Sequence, residues 1–202
     1  MKILTQGIFD GFCLHYSIFN AFKALNSPSS SAIEFSANHL TKWEKMIGLS
    51  PSLQSFASGE GSDFGPLRDV TDVQVKRNFI ASCFNVVNEK NLKKDYRPSS
   101  ISLDDLWDVD FQSAVVILCL QENAILEHPD LGDHWVTIIG KDDETERFLI
   151  ACSYTPHLHN DTEEKDAVTK RFFNNSIRYA ELQVTCIYPE SIQLIEVSNR
   201  KS

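Results

Sequence analysis

A thiol attacks as its thiolate, and the N-terminus of a helix is a place where a protein favours that form. Cys13 stands at such a place. In Asp10-Gly-Phe-Cys-Leu-His-Tyr-Ser17 it falls on the first turn of an amphipathic stretch, with Asp10 as the expected N-cap. The proton partner is supplied by His134, which opens the apolar run His134-Trp-Val-Thr-Ile-Ile-Gly140 directly after the polar loop Pro129-Asp-Leu-Gly-Asp133. A strand start holds an imidazole rigidly while leaving it at a cleft. Within hydrogen-bond reach of each other, the sulfur attacks an acyl carbon, and the histidine takes the proton and returns it to the leaving group. Each residue alone has an ordinary reading, as packed core for a helical Cys and as a satisfied structural His at a strand start. The pair is what points to chemistry.

The elements that must position the pair follow from the hydrophobic period. Phe12 to Leu25 carries apolar residues at 12, 14, 18, 19, 21, 22 and 25 and stops at Asn26-Ser27-Pro28, which predicts a helix followed by a Ser-rich loop. A second helix is expected over Ile33 to Ile47 and a third from about Thr71 to Asn88. Between them, Gly59-Glu60-Gly61-Ser62 reads as a surface loop that could border a cleft. Then the period changes. Ala114 to Leu120, His134 to Gly140, Arg147 to Cys152, Tyr179 to Tyr188 and Ile192 to Val197 are short runs rich in Val, Ile, Phe and Tyr, which predict strands. Lys141 to Glu146 joins the second and third of these as a hairpin, and Asn160 to Lys170 reads as a solvated loop. The expected architecture is α+β, one domain over 1–202, helical over about 1–110 and an antiparallel sheet over about 111–202.

Composition bounds the function. With 202 residues, 42% hydrophobic and 23% charged, the chain can bury a full core without a disulfide or structural metal. Its net charge of −9 argues against nucleic acid or an anionic membrane surface as the main partner. No apolar run reaches the length of a membrane span, and the N-terminus lacks the apolar core of a secretory signal. Five scattered cysteines without CxxC spacing fit neither a disulfide framework nor a zinc site. A reduced, cytoplasmic protein is therefore expected, with delivery into another cell left open, and no cofactor or metal. His157, His159 and Asp161 form a local cluster without a second ligand segment.

Gln6 upstream of Cys13-Leu-His-Tyr-Ser17, the His134 strand, and Phe148-Leu-Ile-Ala-Cys-Ser-Tyr154 on the next strand together resemble the papain-like cysteine peptidases of clan CA. Closest in style are the compact bacteriocin-processing peptidases and bacterial amide-cleaving effectors. The resemblance spans about 30 residues in three segments. It implies a papain-like fold in which Cys13 attacks, Gln6 and the Cys13 amide hold the oxyanion, and His134 acts as base and then acid. Pairing across the hairpin puts His134 opposite Cys152 or Ser153, where the family carries an orienting Asn or Asp. Cys152 and Ser153 are neither, so they offer the imidazole a weaker partner, and Asn160, Asp161, Asn174 and Asn175 are substitutes only if a loop folds back.

The expected activity is hydrolysis of an amide bond in a protein or peptide substrate, by peptide or isopeptide cleavage or by glutamine deamidation. Acyl transfer to an amine through the same thioacyl intermediate is an alternative. A binding protein that keeps the fold without the activity is the rival from another class, and a structural domain with a coincidental Cys and His is the third. Trp135 and Tyr154 would shield the pair or simply pack, His15 is expected at the surface or beside the site, and Asp142-Asp143-Glu144 at a solvated hairpin tip. Twelve residues precede Cys13, so no inhibitory pro-segment is expected.

Overall fold

The computed structural model describes residues 3, 12–26, 39–50, 53–54, 72–88, 94–128, 133–154 and 164–199. Three helices, α1 (Cys13–Asn26), α2 (His39–Ile47) and α3 (Asp72–Val87), are followed by β1 (Lys94–Ser100), β2 (Ala114–Leu120), β3 (His134–Asp142) and β4 (Arg147–Ala151). The short strands β5 (Glu164–Lys165) and β6 (Phe172–Phe173), then β7 (Asn175–Arg178) and β8 (Gln193–Asn199), complete the described strands. Six of them form one antiparallel sheet in the order β1-β8-β2-β3-β4-β7, and β5 pairs with β6. No described helix is long and apolar enough to cross a membrane.

Both faces of this sheet are covered, which is why β2 reads as an unbroken apolar run rather than an alternating one. One face presents Val115, Ile117, Cys119, Trp135, Ile139, Leu149 and Ala151 to Leu14, Ile18 and Phe22 of α1 and to Phe79, Ile80 and Phe84 of α3. The other presents Val116, Leu118, Val136, Ile138, Phe148 and Ile150 to Leu106, Phe111, Leu126, Leu182, Ile187 and Ile192 from the connecting segments. The opposite assignment of neighbouring residues is the alternation of a pleated strand.

The predicted helices and four of the five predicted strands are present, with two corrections to the helix-then-sheet order. β1 lies within the part expected to be helical, and it pairs along all seven residues with β8. Its sequence Lys-Asp-Tyr-Arg-Pro-Ser-Ser is poor in β-formers and contains Pro98, which an edge strand tolerates because one side makes no ladder. The expected strand over Tyr179–Tyr188 is instead two 3-10 turns, Tyr179–Glu181 and Val184–Cys186, with a single bridge from Ile187 to Leu120. Its apolar residues pack on the sheet face rather than extending it, Leu182 and Ile187 in the core and Tyr179 against Trp107 and Phe148. Val75, an apolar residue of α3, is 41% exposed. Residues 33–38 and Gly59–Ser62 lie outside the described residues.

The far end of α1 is fastened by one side chain. Arg171 is 4% exposed and donates from Nε to Ala24 O, from Nη1 to Phe111 O, Ala114 O and Ile139 O, and from Nη2 to Gln112 O, at 2.6–3.2 Å. These carbonyls are available for a physical reason. Ala24 is in the last turn of α1, where carbonyls lack intrahelical donors. Ile139 is skipped by the register shift between Ile138 and Gly140, so its carbonyl falls outside the β3–β4 ladder.

Candidate active site

α1 lies on β3, and two hydrogen bonds fix how it lies. Ser17 Oγ donates to Trp135 O and Thr137 Oγ1 donates to Ser17 O, both at 2.8 Å and both buried. A helical side chain leans towards the N-terminus of its helix while the carbonyl points to the C-terminus. Ser17 meeting Trp135 with its hydroxyl and Thr137 with its carbonyl therefore means that α1 runs in the same direction as β3. Cys13 is one turn before Ser17, about 6 Å along the helix axis. It is consequently level with the start of β3, the end that carries His134.

Cys13 is the first residue of α1, and Tyr16 N closes on Phe12 O at 3.0 Å. The side chain of Cys13 is half-buried against the α1-face core, whereas Cys83, Cys119, Cys152 and Cys186 are buried. Asp10, the expected N-cap, and Gln6 lie outside the described residues, as do Asn160, Asp161, His157 and His159.

His134 is 3% exposed and pairs with Leu120 of β2. On its other side the β4 ladder ends at the pair Thr137 and Ala151, so the start of β3 faces a bend at Cys152–Tyr154 rather than a strand. Ser153 Oγ comes within 3.4 Å of His134 Nε2, and the Tyr154 ring lies 5.9 Å from the imidazole. Ser153 is the one side chain in hydrogen-bond reach of the His134 imidazole among the described residues, and its bond is long. Burial lowers the His134 pKa to about 4, so the imidazole is neutral near pH 7.

Cys13 and His134 share a level but not a face. Trp135, Thr137 and Ile139 point to α1, so alternation turns His134, like Val136 and Ile138, to the opposite side, and no hydrogen bond joins the two residues. Cys152 is on the His134 side of the sheet and fully buried. Its main chain is bracketed by Asn174, whose Oδ1 accepts from Cys152 N and whose Nδ2 donates to Cys152 O, each at 2.8 Å. Asn175 instead holds the main chain of His128.

Two further residues depart from expectation. His15 is fully buried rather than at the surface, ringed by Phe12, Trp43 and Phe79 and 2.8 Å from Ser50 Oγ through Nε2, and burial drops its pKa to about 3. Asp133, read only as loop, ties the entry of β3 by accepting from Glu122 N at 3.1 Å and from the Tyr188 hydroxyl at 2.5 Å. Its position beside His134 was visible in the sequence, but its partners come from segments 11 and 55 residues away. Trp135 packs towards α1 while Tyr154 is the aromatic neighbour of the imidazole.

No protein-family model and no curated protein matches this chain in sequence.

Proposed function

We propose that this chain is a papain-like cysteine hydrolase of an amide bond in a protein or peptide, with Cys13 as nucleophile and His134 as proton carrier. The observation that carries the reading is the clip between Ser17 and β3, which brings the first turn of α1 level with the strand start bearing His134. In the papain-like reading the Cys13 N–H and Gln6 are the two donors to the oxyanion. A neutral His134 is the form a general base requires. In this reading His134 takes the Cys13 proton as the sulfur attacks the acyl carbon, which requires the imidazole to reach the α1 side of β3. Cleavage, deamidation and acyl transfer differ in the substrate and acceptor and use the same thioacyl intermediate.

A second reading is a non-catalytic binding protein of the same architecture. It is favoured by the orientation of His134 away from α1 and by a serine hydroxyl as its hydrogen-bond partner. The pH profile of iodoacetamide labelling, followed for each cysteine by mass spectrometry, separates the two. Because the other four cysteines are buried, labelling of Cys13 is read cleanly. The hydrolase reading expects Cys13 to label at pH 6, where an ordinary thiol is under about 1% thiolate, and at least tenfold more slowly in His134→Ala. Labelling indifferent to His134 at every pH overturns it in favour of a binding protein.

A further inference from the structure

We propose that Asn174 is a positioning residue that sets the His134 imidazole through the main chain of Cys152 and the hydroxyl of Ser153. The hydrolase reading gives this relay its consequence, because His134 is there the proton carrier.

The argument begins where the sheet stops. β7 starts at Asn175, paired with Ile150, and β4 ends one residue later at Ala151. Beyond that point a strand partner for Cys152 would have to supply one acceptor and one donor. Asn174 supplies both from its side chain, accepting from Cys152 N and donating to Cys152 O at 2.8 Å, while its own N–H bonds Ile150 O at 3.0 Å. Its amide thus imitates a peptide group, a capacity that a carboxylate or an aliphatic side chain lacks. Asn174 is 3% exposed and Cys152 fully buried, so water does not replace these bonds at little cost.

What this bracket fixes is the bend that follows. Tyr154 N closes on Cys152 Sγ at 3.4 Å, and Ser153, held between them, points its hydroxyl at His134 Nε2. A shift in the Cys152 main chain is passed to Ser153 and from there to the imidazole, whose hydrogen bonding depends on that hydroxyl. The chain of contacts runs from amide to peptide to hydroxyl to imidazole, across residues 174, 152, 153 and 134. An amide three links along this chain of contacts thereby orients the imidazole without touching it.

The test uses the full chain labelled with 15N-histidine, with His134 assigned by its loss in His134→Gln. Long-range proton–nitrogen spectra report the tautomer and hydrogen bonding of the ring. Ser153→Ala defines the shift that follows loss of the hydroxyl. Asn174→Ala is expected to move the His134 Nε2 resonance to that same position, and the double variant to move it no further. Should Asn174→Ala fail to fold, Asn174→Asp keeps the shape and the acceptor but removes the donor to Cys152 O, and is expected to move the resonance in the same direction. An unchanged His134 spectrum in the folded Asn174 variant, or a double variant that adds the two shifts, overturns the proposal. If the relay holds while Cys13 labelling ignores His134→Ala, the hydrolase reading fails and the positioning role of Asn174 stands.

Discussion

The two ends of β3 solve the same problem, a buried cationic-type side chain, in opposite ways. Where β3 bulges towards its far end, the Arg171 guanidinium meets five main-chain carbonyls from α1, from the turn before β2, from the first residue of β2 and from β3 itself. Burial lowers its pKa only to about 10, so it stays charged. At the start of β3, His134 is as well buried but has a single hydroxyl at 3.4 Å and has lost its charge. A fully satisfied buried polar network rigidifies the fold around it, whereas a side chain held by one long hydrogen bond is less firmly fixed. On the hydrolase reading proposed above, the Arg171 end serves as scaffold and the His134 end as the reacting end.

Replacing Arg171 with Met is the strongest way to test that contrast. It leaves five carbonyls without their donor, and at about 1–3 kcal/mol for each buried group left unsatisfied the loss should reach about 4 kcal/mol or more even if water recovers most of them. Urea unfolding or soluble yield reads this, and a loss below about 1 kcal/mol would break the comparison.

The next largest effect is that of acid. Burial holds His15 and His134 neutral at about 3 and about 4, below the ordinary 6.5. The unfolded chain then takes up protons first, so stability is whole above about pH 6.5 and falls as the pH drops towards the folded values. Each histidine steepens the fall by about 1.4 kcal/mol per pH unit. Urea midpoints at pH 6 and pH 5 should show the slope, and His134→Gln should remove about half of it.

Smaller effects sharpen the picture. A Cβ on Gly140 would stand 3.2 Å from Asp166 Oδ2, a carboxylate held by Val168 N and Thr169 N, so Gly140→Ala should cost about 1–2 kcal/mol in thermal or urea unfolding. Ser153→Ala removes the long hydrogen bond to His134 and should change stability by about 0.5 kcal/mol or less. A large loss there would place Ser153 with the scaffold rather than with the site.

Much of this was legible in the residues. The helical repeat from Phe12 to Leu25 and the apolar runs at Ala114 and His134 reported their elements because burial imposes a period or an unbroken run. β1 was not legible, because pairing with β8 and cover from α3 compensate for weak propensity in Lys-Asp-Tyr-Arg-Pro-Ser-Ser. The run Tyr179–Tyr188 misled because apolar residues that cap a sheet face look like a strand when read singly. In the site, residue types at 13 and 134 were readable, while the face each side chain takes depends on register. Asn174 reads in the sequence as an amide with no assigned partner. Its role is a contact across 22 residues that no local spacing announces.

The sheet order has a consequence for how the molecule is made. β8, the last described strand to emerge during synthesis, is inserted between β1 and β2 rather than added at an edge. Until residues 193–199 arrive, β1 has no strand neighbour and β2 keeps an open flank of main-chain donors and acceptors. The nascent chain therefore carries these unpaired edges from the completion of β2 at residue 120 until β8 begins at residue 193. Closure of the sheet is a late, long-range event, so a chaperone or the ribosome surface has a defined stretch of backbone to shield until β8 seals it.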